Sequence, residues 1–464
     1  MVLAGGFMTL LDVSSVNVAL PAIQGSLGAN PSEIQWIVAG YSLTFALMLV
    51  PAGRLGDALG RRRMFLAGLV GFVLFALSCG LAPSAPVLAT LRLFQGAFAG
   101  MMNPQIAAFI QELFQGRDRA RAFGLFGMVL SVSTAIGPVL GGVLVTSIGV
   151  EHGWRAVFLI NVPIGVVLIP LAARFLPAPP QRAGESGRSL HLDILGLVLI
   201  AGIVLSVMLP FVSVSSQPDG AAGSPWWLLV LAVALAGVLA VWERHRNARN
   251  KPAVLPRALT TNAGFVMGAI LAAAFFAGFT SIFLVVSMFY QDGLGHSALV
   301  AGVAQLPFAA AAAIASHWSA KRVITHGRPI VIFGTLTMSA AVALIVIAAL
   351  TLSPDVLEWT IPALLGIAGW GAGCVISPNQ TLTLSDVPTP LAGTAAGLLQ
   401  TSQRLGGVVG LTLLSTVYFA GIAGSPAELA YTRAFALSLS LTAALLLVAT
   451  TIAIADSRRR AALG

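Results

Sequence analysis

The chain is patterned as blocks of about twenty apolar residues separated by short polar gaps, the spacing of helices that cross a hydrocarbon layer. Read this way it gives fourteen candidate spans, at 2–21, 34–52, 64–82, 87–109, 122–147, 155–172, 193–213, 225–242, 263–289, 298–318, 330–351, 359–380, 391–419 and 432–454. Surface helices of soluble proteins carry an apolar stripe and a polar face. These blocks carry apolar residues all round, so each charge inside one needs a reason. Asp12 in the first span, Arg92 in the fourth and Arg404 in the thirteenth are such charges.

Composition agrees with the pattern. Hydrophobic residues make up 57% of the 464 and charged residues 9%, where a soluble domain carries roughly a quarter. The expected class is an all-α integral membrane protein with the lipid bilayer as its solvent. The net charge of +9 lies in the gaps between blocks and reads as loop charge, so nucleic acid is not an expected partner. Cys79 and Cys374 each sit in an apolar run, and the six His show no zinc-ligand spacing, so neither a disulfide framework, a metal nor a cofactor is expected. The first block has no basic region ahead of it and continues to Pro21, which marks an embedded span rather than a cleaved signal. Met1 stands at the edge of that span. Either later loops set the topology alone or the start lies upstream.

Basic residues fix an orientation. If both termini face the cytoplasm, 21 of the 25 Lys and Arg fall in cytoplasmic segments. They are Arg54 and Arg61 to Arg63; Arg117, Arg119 and Arg121; Arg174, Arg182 and Arg188; Arg244, Arg246, Arg249, Lys251 and Arg257; Lys321, Arg322 and Arg328; and Arg458 to Arg460. Only Arg92, Arg155, Arg404 and Arg433 are left over, which is a strong positive-inside bias. Trp226 and Trp227 at the outer start of the eighth span fit an interfacial aromatic belt. Residues 177–189 form a Pro/Gly/Arg linker.

Several short elements carry candidate chemistry. A carboxylate at the depth of Asp12 is a default proton or ion site. Arg92, in Leu91-Arg92-Leu93-Phe94-Gln95-Gly96, needs a partner unless it snorkels to the interface. Counting along the helices puts Asp12 roughly 13 Å and Arg92 roughly 8 Å below the outer ends of their spans, so they can pair. The gap Gly53-Arg54-Leu55-Gly56-Asp57-Ala58-Leu59-Gly60-Arg61-Arg62-Arg63 has glycines for a tight turn and close helix approach. Its plainer reading is a positive-inside loop. Gly137-Pro138-Val139-Leu140-Gly141-Gly142 gives a kinked, closely packed helix whether or not it has a further role.

Together these elements resemble the major facilitator superfamily. The Gly53 to Arg63 segment is similar to its signature loop, with Ala58 where an Arg is usual; the span-four Arg92-x-x-Gln95-Gly96 resembles the element associated with proton coupling; and the Gly137 to Gly142 segment resembles the antiporter motif of its exporters. Residues 154–165, Trp242-Glu243-Arg244 with Pro252, residues 290–297, Leu306-Pro307 and residues 393–407 extend the likeness to the fourteen-span drug:proton antiporters of the EmrB/QacA type. Lys321-Arg322 with His326-Gly327-Arg328 is a degraded echo of the Gly53 loop without an acid matching Asp57.

The resemblance implies two pseudo-symmetric six-helix halves, 1–176 and 258–464, with a cytoplasmic linker at 177–192 and two additional helices and a basic loop at 193–257. It implies a proton-coupled exporter of lipophilic small molecules across the cytoplasmic membrane. Asp12 and Arg92 would couple protons, Gly53, Asp57, Gly60 and Arg61 would gate, and Gly137, Pro138, Gly141 and Gly142 would seal helix contacts. Candidates for the substrate cavity by position are Asn17, Phe98, Met101, Asn103, Phe276, Phe279, Gln305, Asn379 and Arg404. One acid against two cations predicts that dications are excluded. Export of a single endogenous metabolite or antibiotic is the alternative, and proton-coupled import a further one. No cluster fit for an enzyme is present, nor a ring of repeated charge for a channel. Nothing in the sequence identifies a membrane-fusion partner.

Overall fold

A computed structural model describes residues 1–177, 193–214, 223–249, 253–422 and 428–462. Among these the chain is helical, in the order α1 (Val2–Leu27), α2 (Pro31–Leu59), α3 (Arg61–Gly80), α4 (Ala85–Leu113), α5 (Gly116–Ile148), α6 (Val150–Leu159), α7 (Asn161–Phe175), α8 (Ile194–Val214), α9 (Trp227–Ala248), α10 (Arg257–Thr260), α11 (Ala263–Met288), α12 (Ala298–Val303), α13 (Leu306–Ala320), α14 (Val323–His326), α15 (Arg328–Thr351), α16 (Pro354–Leu384), α17 (Ala392–Ile422) and α18 (Glu428–Ala461). A π-helical turn at Phe289–Gly293 follows α11. Arg182 and Arg188, nearly all of the 177–192 linker, Lys251 and Pro252 lie outside the described residues.

Helix ends follow local chemistry. Asn30 and Glu33 form a reciprocal capping box, with Pro31 in the first turn, so α2 starts there. Gly60, at φ 102°, is the single residue between α2 and α3, a conformation that L side chains avoid. It turns the chain back at once. Thirteen helical segments of the described residues are long and apolar enough to cross a membrane. α4 is not among them, although it has 29 residues, because it buries Arg92, Gln95, Asn103, Gln105 and Gln111. The structure therefore places five buried polar side chains, aimed at several neighbouring helices, where the sequence pattern has a further span.

Two expected spans are each broken. The sixth starts at Val150, not Arg155, and divides into α6 and α7 at Ile160; the tenth divides into α12 and α13 just before Leu306-Pro307. Proline at the start of α13 cannot supply an N–H to a continuing helix.

The bundle has two large apolar cores. Met8, Phe65, Phe72, Phe109 and Phe123 build one among α1 to α5. Phe275, Phe289, Phe308, Met338, Leu365 and Phe435 build the other among α11 to α18. α8 and α9 stand outside both: Leu199, Val204, Met208 and Leu239 pack on Leu43 and Val50 of α2, with Leu405 and Val408 of α17 alongside. Their remaining face, including Val198, Val230, Val233 and Val241, is exposed and apolar, as a face toward lipid must be. The end carrying Arg61, Arg117 and Arg458 is called the basic end below.

Candidate functional site

Asp12 is fully buried on α1, and three side chains converge on it. Arg92 Nη1 lies 2.5 Å from Oδ2, Gln95 Nε2 3.0 Å from Oδ1 and Asn161 Nδ2 3.1 Å from the same Oδ1. Arg92, 2% exposed, is itself held by the Ile37 carbonyl at 3.1 Å, by Gln95 Oε1 at 2.9 Å and by the Tyr41 ring 4.1 Å from its guanidinium carbon. Arg92 therefore does not snorkel. Desolvating two charges costs several kcal/mol each, and this dense set of charge-assisted bonds offsets it. Removing the charge from Asp12 releases Arg92 from its only carboxylate among the described residues.

Helices α1 and α5 meet around the same site. A Cβ on Gly137 would overlap Ser14 Oγ, and one on Gly141 would fall 2.7 Å from the Ser15 carbonyl oxygen. Ser14 and Ser15 lie two and three residues after Asp12 on α1, so these glycines set how closely α5 approaches α1 beside the carboxylate. Gly142 has only Val18 near, at 3.9 Å, and Pro138 lies within α5.

At the basic end, α2 is latched to α17. Asp57 accepts from Gly393 N at 3.0 Å, Thr394 N at 2.8 Å and Thr394 Oγ1 at 2.8 Å, satisfying free N–H groups at the positive end of α17. Gly53 faces the Gly393 carbonyl so closely that a Cβ there has no room. Arg61 ties the corner together: it donates to Thr389 O at 2.5 Å and Ala108 O at 3.0 Å, and pairs with Glu112 at 2.7 Å and Asp57 at 3.5 Å. Gln111 donates to the Leu384 carbonyl, and Gly124 of α5 abuts Ala320 of α13. The basic end is closed along both seams.

The expected cavity residues are not gathered in one place. Asn17 is exposed. Phe98 stacks on Phe75 of α3 with centroids 5.5 Å apart, a packing contact. Met101 is half-buried. Asn103 is buried and donates to Thr9 Oγ1 at 3.3 Å and Ala99 O at 3.1 Å. Phe276 and Phe279 join Phe275, Phe283 and Phe308 in an aromatic group between α11 and α13. Gln305, at the α12–α13 break, donates to Ala301 O at 3.0 Å. Arg404 is half-buried, its guanidinium carbon 4.3 Å from the Phe45 ring centroid.

Asn379 lies elsewhere. It accepts from Arg328 Nη1 at 2.5 Å and donates to Gly268 O at 3.1 Å. Arg328 is not the solvated loop charge its position suggests: it is 2% exposed and bonds the fully buried Asp456 at 2.5 Å. The acid absent from the echo of the Gly53 loop is thus supplied by α18. Asp193 and Glu243 are buried as well, so Asp12 is not the only carboxylate inside the bundle. Asp193 takes the Trp242 indole N–H at 2.9 Å, Glu243 caps Val254 N at 3.0 Å and Leu255 N at 3.1 Å, and Arg54 donates to the Ala253 carbonyl. Sequence reasoning missed Gln95 and Asn161 as ligands of Asp12. Their signal is a lone amide within an apolar block.

Comparison with known proteins matches the Major Facilitator Superfamily over residues 2–411. One relative, the "Probable actinorhodin transporter" of Streptomyces coelicolor, is 32% identical over 430 residues, covering 92% of this chain and 72% of the relative. The multidrug resistance protein Stp of Mycobacterium tuberculosis is 30% identical over 426 residues, covering 91% and 75%. Among solved structures, the proton:xylose symporter XylE superposes with a TM-score of 0.68 at 15% identity over 97% of this chain and 93% of that one.

Proposed function

The chain belongs to the Major Facilitator Superfamily, and on that premise we propose that it exports lipophilic small molecules across the cytoplasmic membrane in exchange for protons. Relatives named for antibiotic and multidrug resistance or export support the direction of transport. The observation that carries proton coupling is the Asp12 cluster: one carboxylate, fully buried, whose only cationic partner among the described residues is the buried Arg92. Protonating Asp12 cancels its charge and frees Arg92, and returning to the carboxylate restores the pair. Two arrangements differing by one proton are what a coupled carrier requires.

The glycine contacts of α5 with Ser14 and Ser15 link that change to helix packing, and the Asp57–α17 latch is the gate that opens when the halves rock. The halves are 1–176 and 258–464, with α8 and α9 as the two additional helices, giving fourteen spans of the EmrB/QacA type. Both termini and the basic end face the cytoplasm. The named antibiotic relatives favour, as a second reading, export of one endogenous compound.

Cells with and without the protein, loaded with an anionic, a neutral and a cationic lipophilic dye, test the reading. At least one dye should accumulate less in expressing cells, and a protonophore should abolish the difference. Equal accumulation of all three overturns export. A difference that survives the protonophore overturns proton coupling.

A further inference from the structure

We propose that Arg404 binds the anionic group of the substrate, so that the preferred cargo is a lipophilic amphiphile with one negative charge. This rests on the exporter reading and names its substrate class. Arg404 is the only charged residue in α17, and it stands roughly 18 Å along the helix from Ala392. With a hydrocarbon core of about 30 Å in a helix of 31 residues, that depth is beyond the reach of lipid phosphates. A cation there must meet an acid, water or a ligand. Among the described residues no carboxylate or carbonyl bonds its guanidinium; its neighbour is the face of Phe45.

The one acid deep in the adjoining half is already committed. Both oxygens of Asp12 are taken by Arg92, Gln95 and Asn161, so that group is neutral as a pair and offers nothing to Arg404. Among the described residues no acid is hydrogen-bonded or ion-paired to Arg404, so its charge stays uncompensated by the Asp12–Arg92 pair. One turn from Arg404 on the same face, Gln400 reaches across to α4, its Nε2 3.5 Å from the Asn103 carbonyl, which places this face against the other half. Tyr41 and Phe45 stack with centroids 6.2 Å apart, Arg92 over the first ring and Arg404 over the second. Phe45, itself buried, lies within cation–π range of the guanidinium and leaves its hydrogen-bond donors to an anion. A dication would meet repulsion and no free acid.

The test is equilibrium binding to protein in lipid nanodiscs of three probes sharing one body: pyrenebutyrate, its methyl ester and pyrenebutyl-trimethylammonium. Pyrenebutyrate should bind saturably and at least tenfold more tightly than the ester or the cation. Arg404→Gln should weaken it at least tenfold and leave the ester unchanged, while Arg404→Lys should restore most of the anion preference. No saturable pyrenebutyrate binding, equal binding of the three probes, or an unaltered preference in Arg404→Gln overturns the assignment. Because binding is read without transport, its failure is distinct from failure of the dye-export test.

Discussion

Replacing Asp57 by Ala removes the acceptor that holds α17 to α2 at the basic end. Three hydrogen bonds to α17 are lost, from Gly393 N, Thr394 N and Thr394 Oγ1. The freed donors regain water when the end opens, so each is worth about 0.5–1 kcal/mol net, and the negative charge at a helix N-terminus adds about 0.5–1 kcal/mol. The closed form should lose about 2–4 kcal/mol relative to the open one, a shift of roughly 30- to 1,000-fold in their ratio. Spin labels at the exposed positions Leu59 and Ser385, measured by double electron–electron resonance, report the gap directly. Asp57→Ala should move population from the short distance to a longer one, and Asp57→Asn, which keeps one acceptor oxygen, should fall between. A distribution for Asp57→Ala identical to that of the unsubstituted protein would refute the latch.

Gly141→Leu should force α5 away from the Ser15 carbonyl and lower the apparent Tm through overpacking worth about 1–3 kcal/mol, while Gly142→Ala, with open space around it, should leave the Tm within a degree of the parent. Asp456→Asn strands the buried Arg328, a loss of about 3–5 kcal/mol, and the yield of monodisperse protein in detergent should fall sharply; Arg328→Met with Asp456→Leu should recover much of it. A reporter fused after Arg188 or Arg249 should register as cytoplasmic and one within residues 215–222 as external, and a single reversal there would mean that α8 and α9 are not both spans.

How far the sequence could be read depended on whether a property runs along the helices or around them. Span positions, the depth match of Asp12 with Arg92 and the close contacts at Gly53, Gly137 and Gly141 follow from spacing along the chain, and the structure contains each of those contacts. Azimuth does not follow from spacing when a block is apolar all round. That is why Asn379, chosen by depth, faces Arg328 rather than a central cavity, and why Phe98 packs on α3. Asn161 escaped notice because residues 155–172 read as one continuous span, although Pro163, which cannot donate to the Leu159 carbonyl, marks the α6–α7 break that aims Asn161 at Asp12. Arg328 and Asp456 were hidden by a different ambiguity: basic residues at span ends read as loop charge, and only the packing of α15 against α16 and α18 buries this pair.

The central claim is that one proton, carried by Asp12, is exchanged for substrate, and the direct measurement is substrate-evoked proton movement in proteoliposomes enclosing a pH-sensitive dye. The compound added is whichever lipophilic dye the protein keeps out of cells. With the unsubstituted protein, imposing a gradient of that compound should drive an opposite proton flux. Asp12→Asn keeps the size of the side chain and one acceptor oxygen but cannot titrate, so in the folded, reconstituted variant compound exchange down its own gradient should continue while the proton flux falls to the level of protein-free vesicles. Proton flux through Asp12→Asn equal to that of the unsubstituted protein would contradict the account.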